Sequence, residues 1–253
     1  MSDRAPQTYA ERPSQTCADA VVWRRMVSTE PVSVLPDGCM DLLWLGGRLV
    51  VAGPDSRTHH SAAVSNTAVY GIRFAPGVAP ALLGVAAPEL LDRRVELAEL
   101  WPARRVRIMA DLVAAAPDPA AGLDEIARRC AEEATPPDPV LAQIVRRLDA
   151  GEPVAATADA LGLGPRRLHR MSVSAFGYGP KMLARVLRMR RALDLARDDI
   201  GFADTAAMAG YADQAHMSRD IRALTGRPPG RVLGPHERSS PLIRPGEVQL
   251  SGA

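Results

Sequence analysis

Apolar residues recur along this chain in two rhythms, and the change between them divides it. In the first third the rhythm is short. VVWRRMVS, VSVLPDG, CMDLLWLGG, RLVVAG and AVYGIRFAPG are brief runs rich in Val, Leu, Ile and aromatics, separated by Pro36-Asp37-Gly38, Gly46-Gly47 and Gly53-Pro54. Runs of this kind between turn residues predict strands, about five of them, in a small, mostly antiparallel sheet or partly open barrel. From Pro80 the apolar positions fall three and four apart, the spacing of one helical face. APALLGVAAPELLD, ELAELWPARRVRIMADLVAAA and GLDEIARRCAEEA are expected helices, with Val106, Met109 and Val113 on one stripe. The Pro-rich stretch Thr135 to Pro139 is the expected linker, so an α+β domain over 18–135 should precede an all-α domain over 138–235. The residues up to about Gln15 and the tail from Glu237 onward carry no such rhythm and are expected to be disordered.

Beyond the linker the helical rhythm becomes a repeated unit. VLAQIVRRLDAG leads in, with Leu141, Ile144 and Leu148 inward. In the first unit Val154, Ala158 and Leu161 form the inner stripe of a short helix. Gly162-Leu163-Gly164 makes a turn, and Pro165 stands at the first position of the next helix, where its missing N–H is harmless. There Leu168, Met171 and Ala175 face in, Arg166 and Arg170 face out, and Arg167 and His169 flank them. The second unit opens with small residues, Thr205, Ala206 and Ala209, that permit close packing. Gly210 supplies a positive φ for the turn and Asp213 an N-cap. Met217, Ile221 and Leu224 then form the buried stripe, opposite Ala215, Arg219 and Arg222 and flanked by Gln214, His216 and Ser218. Arg170 and Arg219 are equivalent, 219 − 170 = 49 residues apart. Between the units PKMLARVLRMRRALDLAR is a helix with Met182, Val186, Met189 and Leu193 on its core stripe, and Lys181, Arg185 and Arg188 on another face.

Charge sharpens this division. The formal net charge is +2, yet residues 164–231 hold thirteen Lys+Arg and six Asp+Glu, a net of +7, which leaves 2 − 7 = −5 for the remainder. A basic helical half on an acidic partner is the footprint of a phosphate-binding module with a regulatory domain. Two helices separated by a tight turn make a helix-turn-helix, and Arg and Gln are the side chains best suited to paired hydrogen bonds with purine edges.

The pair of units resembles the DNA-binding domain of the AraC/XylS family of transcription regulators over roughly Val140 to Pro235. GYADQAHMSRDIRALTGRPP is close to the family signature for the second unit. The pattern RxLxRxxxxxxGxxPxxxxxxxRxxxA runs from Arg166 through Gly177, Pro180 and Arg188 to Ala192. The chain departs from the family at Met171-Ser172, where an aromatic is usual, so looser packing is expected there. The resemblance implies that the helices Pro165–Phe176 and Gln214–Leu224 enter successive major grooves of double-stranded DNA. Arg166, His169 and Arg170, and Gln214, His216 and Arg219, match the family's base-reading positions. Arg167, Lys181, Arg185, Arg188, Ser218 and Arg222 are the candidates for the DNA backbone. The segment from about Val32 to Trp101 resembles an N-terminal domain found on one subgroup of these regulators. The layout implies a sensing or dimerising domain ahead of the DNA-binding one, and hence a homodimer, a small-molecule effector and RNA polymerase as partners. The competing reading is a protein-interaction or ligand-binding module whose helical half does not read DNA.

Other chemistry is thin. Cys17, Cys39 and Cys130 are far apart, which fits a reduced cytoplasm and speaks against a disulfide framework or zinc site. No apolar run is long enough to cross a membrane, and the N-terminus lacks a signal-peptide core. His59-His60 would point to opposite sides of a strand, so a surface loop is preferred over a metal site with Cys39 and Asp41. Cys39 is expected to be buried and structural, and Asp37 to belong to a Pro-Asp-Gly turn. Trp23, Trp44, Tyr70 and Arg73 serve equally as core or as the lining of a ligand pocket. Arg73 stands in an apolar run either as the partner of Asp37, Asp41 or Asp55, or as the holder of an anionic ligand. With no phosphate loop and no nucleophile elbow, neither an enzymatic activity nor a cofactor is expected.

Overall fold

The computed structural model describes residues 9–26, 32–61, 68–198 and 200–233. Its first half is built on β1 (Tyr9–Pro13), β2 (Ala20–Met26), β3 (Val32–Val34), β4 (Met40–Leu45), β5 (Arg48–Ala52), β6 (His59–Ser61), β7 (Ala68–Phe74) and β8 (Arg94–Glu96). Six of these form one open sheet in the order β1-β2-β7-β4-β5-β8, antiparallel throughout, while β3 and β6 pair separately. Register makes the two faces unlike. Val22, Ile72, Leu42, Val51 and Val95 lie side by side across five strands, all buried. One residue along, the row reads Val21, Arg73, Asp41, Ala52 and Arg94 on the opposite face. The period of two thus puts an apolar row toward one layer and a charged row toward the other.

The apolar face is covered by helices. They are α1 (Ala79–Leu83), α2 (Ala87–Leu90), α3 (Leu97–Leu100), α4 (Ala103–Ala115) and α5 (Pro119–Glu133). Met109, Val113, Leu123, Ile126 and Cys130 meet Ile72, Phe74 and Leu42 in one core. Several expectations change here. Eight strands are present among the described residues rather than about five, because short, polar β8 and β6 lack an apolar run. His59 and His60 therefore lie in a strand, with His60 opposite Ser33, not in a surface loop. The single helix expected over ELAELWPARRVRIMADLVAAA is two. Pro102 disfavours the helical conformation in the residue before it, and Trp101 is extended at φ −121°, ψ 156°. Its indole N–H donates to the Leu83 carbonyl at 2.8 Å.

Tyr9–Pro13 is a strand rather than a disordered leader, and its anchor is Asp124 on α5. This buried carboxylate accepts from Arg12 Nη1 at 3.0 Å, from the Ser14 hydroxyl, from the Gln15 amide at 3.2 Å and from Thr16 Oγ1 at 3.2 Å. Asp124→Ala would strand these donors, at a cost of about 2–4 kcal/mol. A thermal melt should show a loss of several degrees, and an unchanged Tm would mean that the leader is not held by this group. The expected disorder from Glu237 onward lies outside the described residues, as do residues 1–8.

The second half is all helix: α6 (Pro139–Asp149), α7 (Val154–Ala160), α8 (Pro165–Phe176), α9 (Pro180–Arg197), α10 (Phe202–Met208), α11 (Gln214–Thr225) and α12 (Pro229–Val232). It has two cores with α9 between them. Leu183 and Leu187 join Ile144, Leu148, Leu168 and Phe176, while Met189 and Leu193 join Met217, Ile221 and Leu224. The sequence stripe on α9 shows only part of this, since the helix is buried on two sides.

The halves are docked. Leu35 sits in the core of the second unit and Leu91 packs on that of the first. α2 lies against α8, and the Thr58 amide donates to the Leu224 carbonyl at 2.9 Å, at the end of α11. Among the described residues no helix is long and apolar enough to cross a membrane.

Candidate nucleic-acid interface

α7–α8 and α10–α11 are the two helix-turn-helix units. Gly162 (φ 62°) and Gly210 (φ 82°) turn the chain in the left-handed region. Pro165 opens α8, and the Asp213 carboxylate caps α11 by accepting from the His216 amide at 2.6 Å. With Leu168 buried beneath α8 and Met217, Ile221 and Leu224 beneath α11, helical geometry turns the polar positions outward. Arg166, Arg167, His169 and Arg170 are exposed on α8, and Gln214, Arg219 and Arg222 on α11.

His216 and Ser218 are half-buried instead. The His216 ring meets Tyr211 edge-on at 5.2 Å between centroids, and its Nδ1 accepts from the Ala212 amide at 3.4 Å. Part of this imidazole therefore holds the turn together.

The basic residues of α9 divide sharply. Lys181 is exposed. Arg185 Nε pairs with Asp220 Oδ1, and Arg188 Nη2 with Asp220 Oδ2 at 3.1 Å. Arg188 also lies over the Tyr211 ring at 4.4 Å. These two guanidinium groups tie α9 to α11 through one carboxylate that is 9% exposed. Asp220 was not among the sequence candidates, since its partners lie 35 and 32 residues away and helical spacing alone cannot pair them.

The proposed pocket residues separate too. Trp44 and Tyr70 are half-buried on the apolar face, packed against the core. A cavity of about 100 Å³ opens on the charged face, lined among others by Tyr9, Trp23, Asp37, Asp41, Asp55 and Arg73. Arg73 Nε lies 3.5 Å from both Asp37 Oδ2 and Asp41 Oδ1, whereas Asp55 is held by Arg94 through two bonds of 3.0 and 2.6 Å. Asp37 Oδ1 accepts from the Cys39 amide at 2.9 Å, closing the turn at Gly38. Cys39 is buried, which pushes its thiol pKa well up.

Comparison with known proteins follows the same division. Residues 157–234 match the model of a helix-turn-helix domain, and residues 16–96 match that of a domain of unknown function, DUF6597. No curated protein matches the chain. Among solved structures, the chain is similar to the C-terminal domain of AraT, a response regulator from Geobacillus stearothermophilus, at 20% identity and a TM-score of 0.35, over 38% of this chain and 84% of that one. A probable AraC family transcriptional regulator from Rhodopseudomonas palustris is 21% identical, with a TM-score of 0.34 over 40% of this chain and all of that one. ToxT from Vibrio cholerae O395 is 10% identical, with a TM-score of 0.45 over 94% and 99% of the two chains.

Proposed function

We propose that this chain, which carries a helix-turn-helix domain behind a DUF6597 domain, is a DNA-binding transcription regulator of the AraC/XylS type that reads two successive major grooves. In this reading residues 138–235 bind DNA and residues 18–135 regulate, as a homodimer, under a small effector, and with RNA polymerase as a downstream partner. One observation carries it. Arg185 and Arg188 on α9 are paired inside the protein, yet Arg166 and Arg170 on α8, and Arg219 on α11, are exposed and make no ion pair or hydrogen bond among the described residues. Unpaired guanidinium groups at the same place in two repeated units suit bidentate contact with guanine. Arg166, His169 and Arg170 are the proposed base contacts of the first unit, and Gln214 and Arg219 those of the second. His216 contributes through the half of its ring that the turn leaves open. Lys181, Arg167, Arg222 and Ser218 are left to meet phosphates.

Selection of bound sites from a randomised DNA pool by the full-length protein tests this. The expected result is a motif of two blocks about one helical turn apart, since successive major grooves recur at about 34 Å. A single block would assign reading to one helix only. No enrichment would sink the proposal.

A further inference from the structure

We propose that the cavity on the charged face of the sheet binds a small carboxylate on Arg73, and that α9 senses its occupancy through Asp37. This inference rests on the regulator reading and supplies its effector class. Arg73 sits in mid-sheet and is 9% exposed. Its Nε and Nη1 are buried and make no hydrogen bond. Asp37 and Asp41 stand 3.5 Å from its Nε as ion pairs, outside hydrogen-bond geometry, and each carboxylate around it also serves another donor. Asp37 serves the Cys39 amide, Asp41 Oδ1 accepts from the Trp23 indole at 2.7 Å, and both oxygens of Asp55 are held by Arg94. What Arg73 lacks is therefore an acceptor in hydrogen-bond geometry, and a buried donor left unmade is costly. A planar oxyanion matches the fork of a guanidinium.

Three neighbouring aspartates favour a monoanion over a phosphate dianion, whose second charge would meet them at close range. The volume of about 100 Å³ is smaller than the roughly 150 Å³ that admits benzene, so the acid has a short chain, or a small ring that reaches the open mouth. Tyr9 and Trp23, whose ring centroids stand 6.2 Å apart, form the aromatic side of that mouth.

The route to the helices is short. Asp37 Oδ2 lies 3.5 Å from Arg73 Nε and 3.4 Å from Arg190 Nη1. Arg190 stands on α9, 2% exposed, where the helix passes from one core to the other. A ligand carboxylate on Arg73 takes the place of Asp37 there and leaves Asp37 to Arg190 alone. Occupancy thereby alters a contact between α9 and the loop that leads into β4.

Thermal melts of the full-length protein with millimolar acetate, propionate, butyrate and benzoate, the matching amides, and inorganic phosphate provide the test. At least one carboxylate should raise Tm by a few degrees, while its amide and phosphate do not. Arg73→Lys keeps the charge but not the fork, and should lose most of that shift. Asp37→Asn should keep the shift but lose the several-fold change in operator affinity that the same carboxylate causes in the parent protein. The proposal is overturned if no acid shifts Tm, if amide or phosphate shifts it equally, or if Arg73→Lys responds in full. Site selection without ligand separates the two readings. A selected DNA motif with no acid response leaves the regulator and removes the cavity, and an acid response without sequence selection does the reverse.

Discussion

The double substitution Arg170→Ala with Arg219→Ala is expected to lower affinity for the selected operator by about 30-fold to 10⁴-fold, at about 1–3 kcal/mol for each bidentate arginine–guanine pair removed. Both side chains are exposed on helices with separate buried stripes, so the fold should be untouched and the two effects should add. Each single variant should relax preference at one base position, in the block that its own helix reads. A titration of labelled duplex at fixed salt, run beside a random duplex, decides the matter. If affinity for random DNA falls as far as affinity for the operator, the two arginines meet phosphates and the assignment fails. Because phosphate contacts release counterions, that outcome would also flatten the dependence on salt.

The largest effect on stability is expected from Gly53→Ala. Gly53 follows β5 and is buried, and its amide donates to the Arg93 carbonyl at 3.0 Å. A Cβ there would lie 1.8 Å from the Leu90 carbonyl oxygen and 2.6 Å from its carbon. These are backbone atoms at the end of α2, so no side-chain rotation relieves the clash. The strand and the helix must part, at a cost of about 4 kcal/mol or more, in the exceptional range for one substitution. For a chain of this size that is a fall in Tm of roughly 8 °C or more. Gly46→Ala makes the comparison, since its Cβ would meet nothing within 4 Å and only its positive φ is penalised. Equal melting of the two variants would show that the close approach of α2 to β5 is not present in solution.

How far the chain could be read in advance depended on how local each cause is. The second helix-turn-helix is set by neighbours. Gly210 turns, Asp213 caps, and Met217, Ile221 and Leu224 bury one stripe, all within fifteen residues of sequence. The sheet was legible where one face is purely apolar, as at Val22 and Leu42. The charged row was not, because Arg73 meets Asp37 and Asp41 only once β4 and β7 are paired in register. Sequence therefore left three aspartates equal, and Trp44 and Tyr70 could not be told from Trp23, which lies across Gly71 on the other face. α9 was half-read. Its Leu183 and Leu187 face a second core, and Arg190, three residues beyond Leu187, looks like any surface arginine until Asp37 is brought to it. Arg185 and Arg188 looked free for the same reason. The charge pattern marked a basic helix correctly but could not say that one carboxylate on α11 had already claimed two of its members.

The bond from Thr58 to the end of α11, together with the seat of α2 on α8, bears on how such a protein can be recombined. In the proposed reading, the distance between the two helix-turn-helix units is held by the front half as well as by α9. A chimera that grafts this helical half onto a different front half should keep the letters that each unit prefers. What it should change is the number of base pairs between the two blocks, so a transplanted specificity would arrive with the wrong spacer.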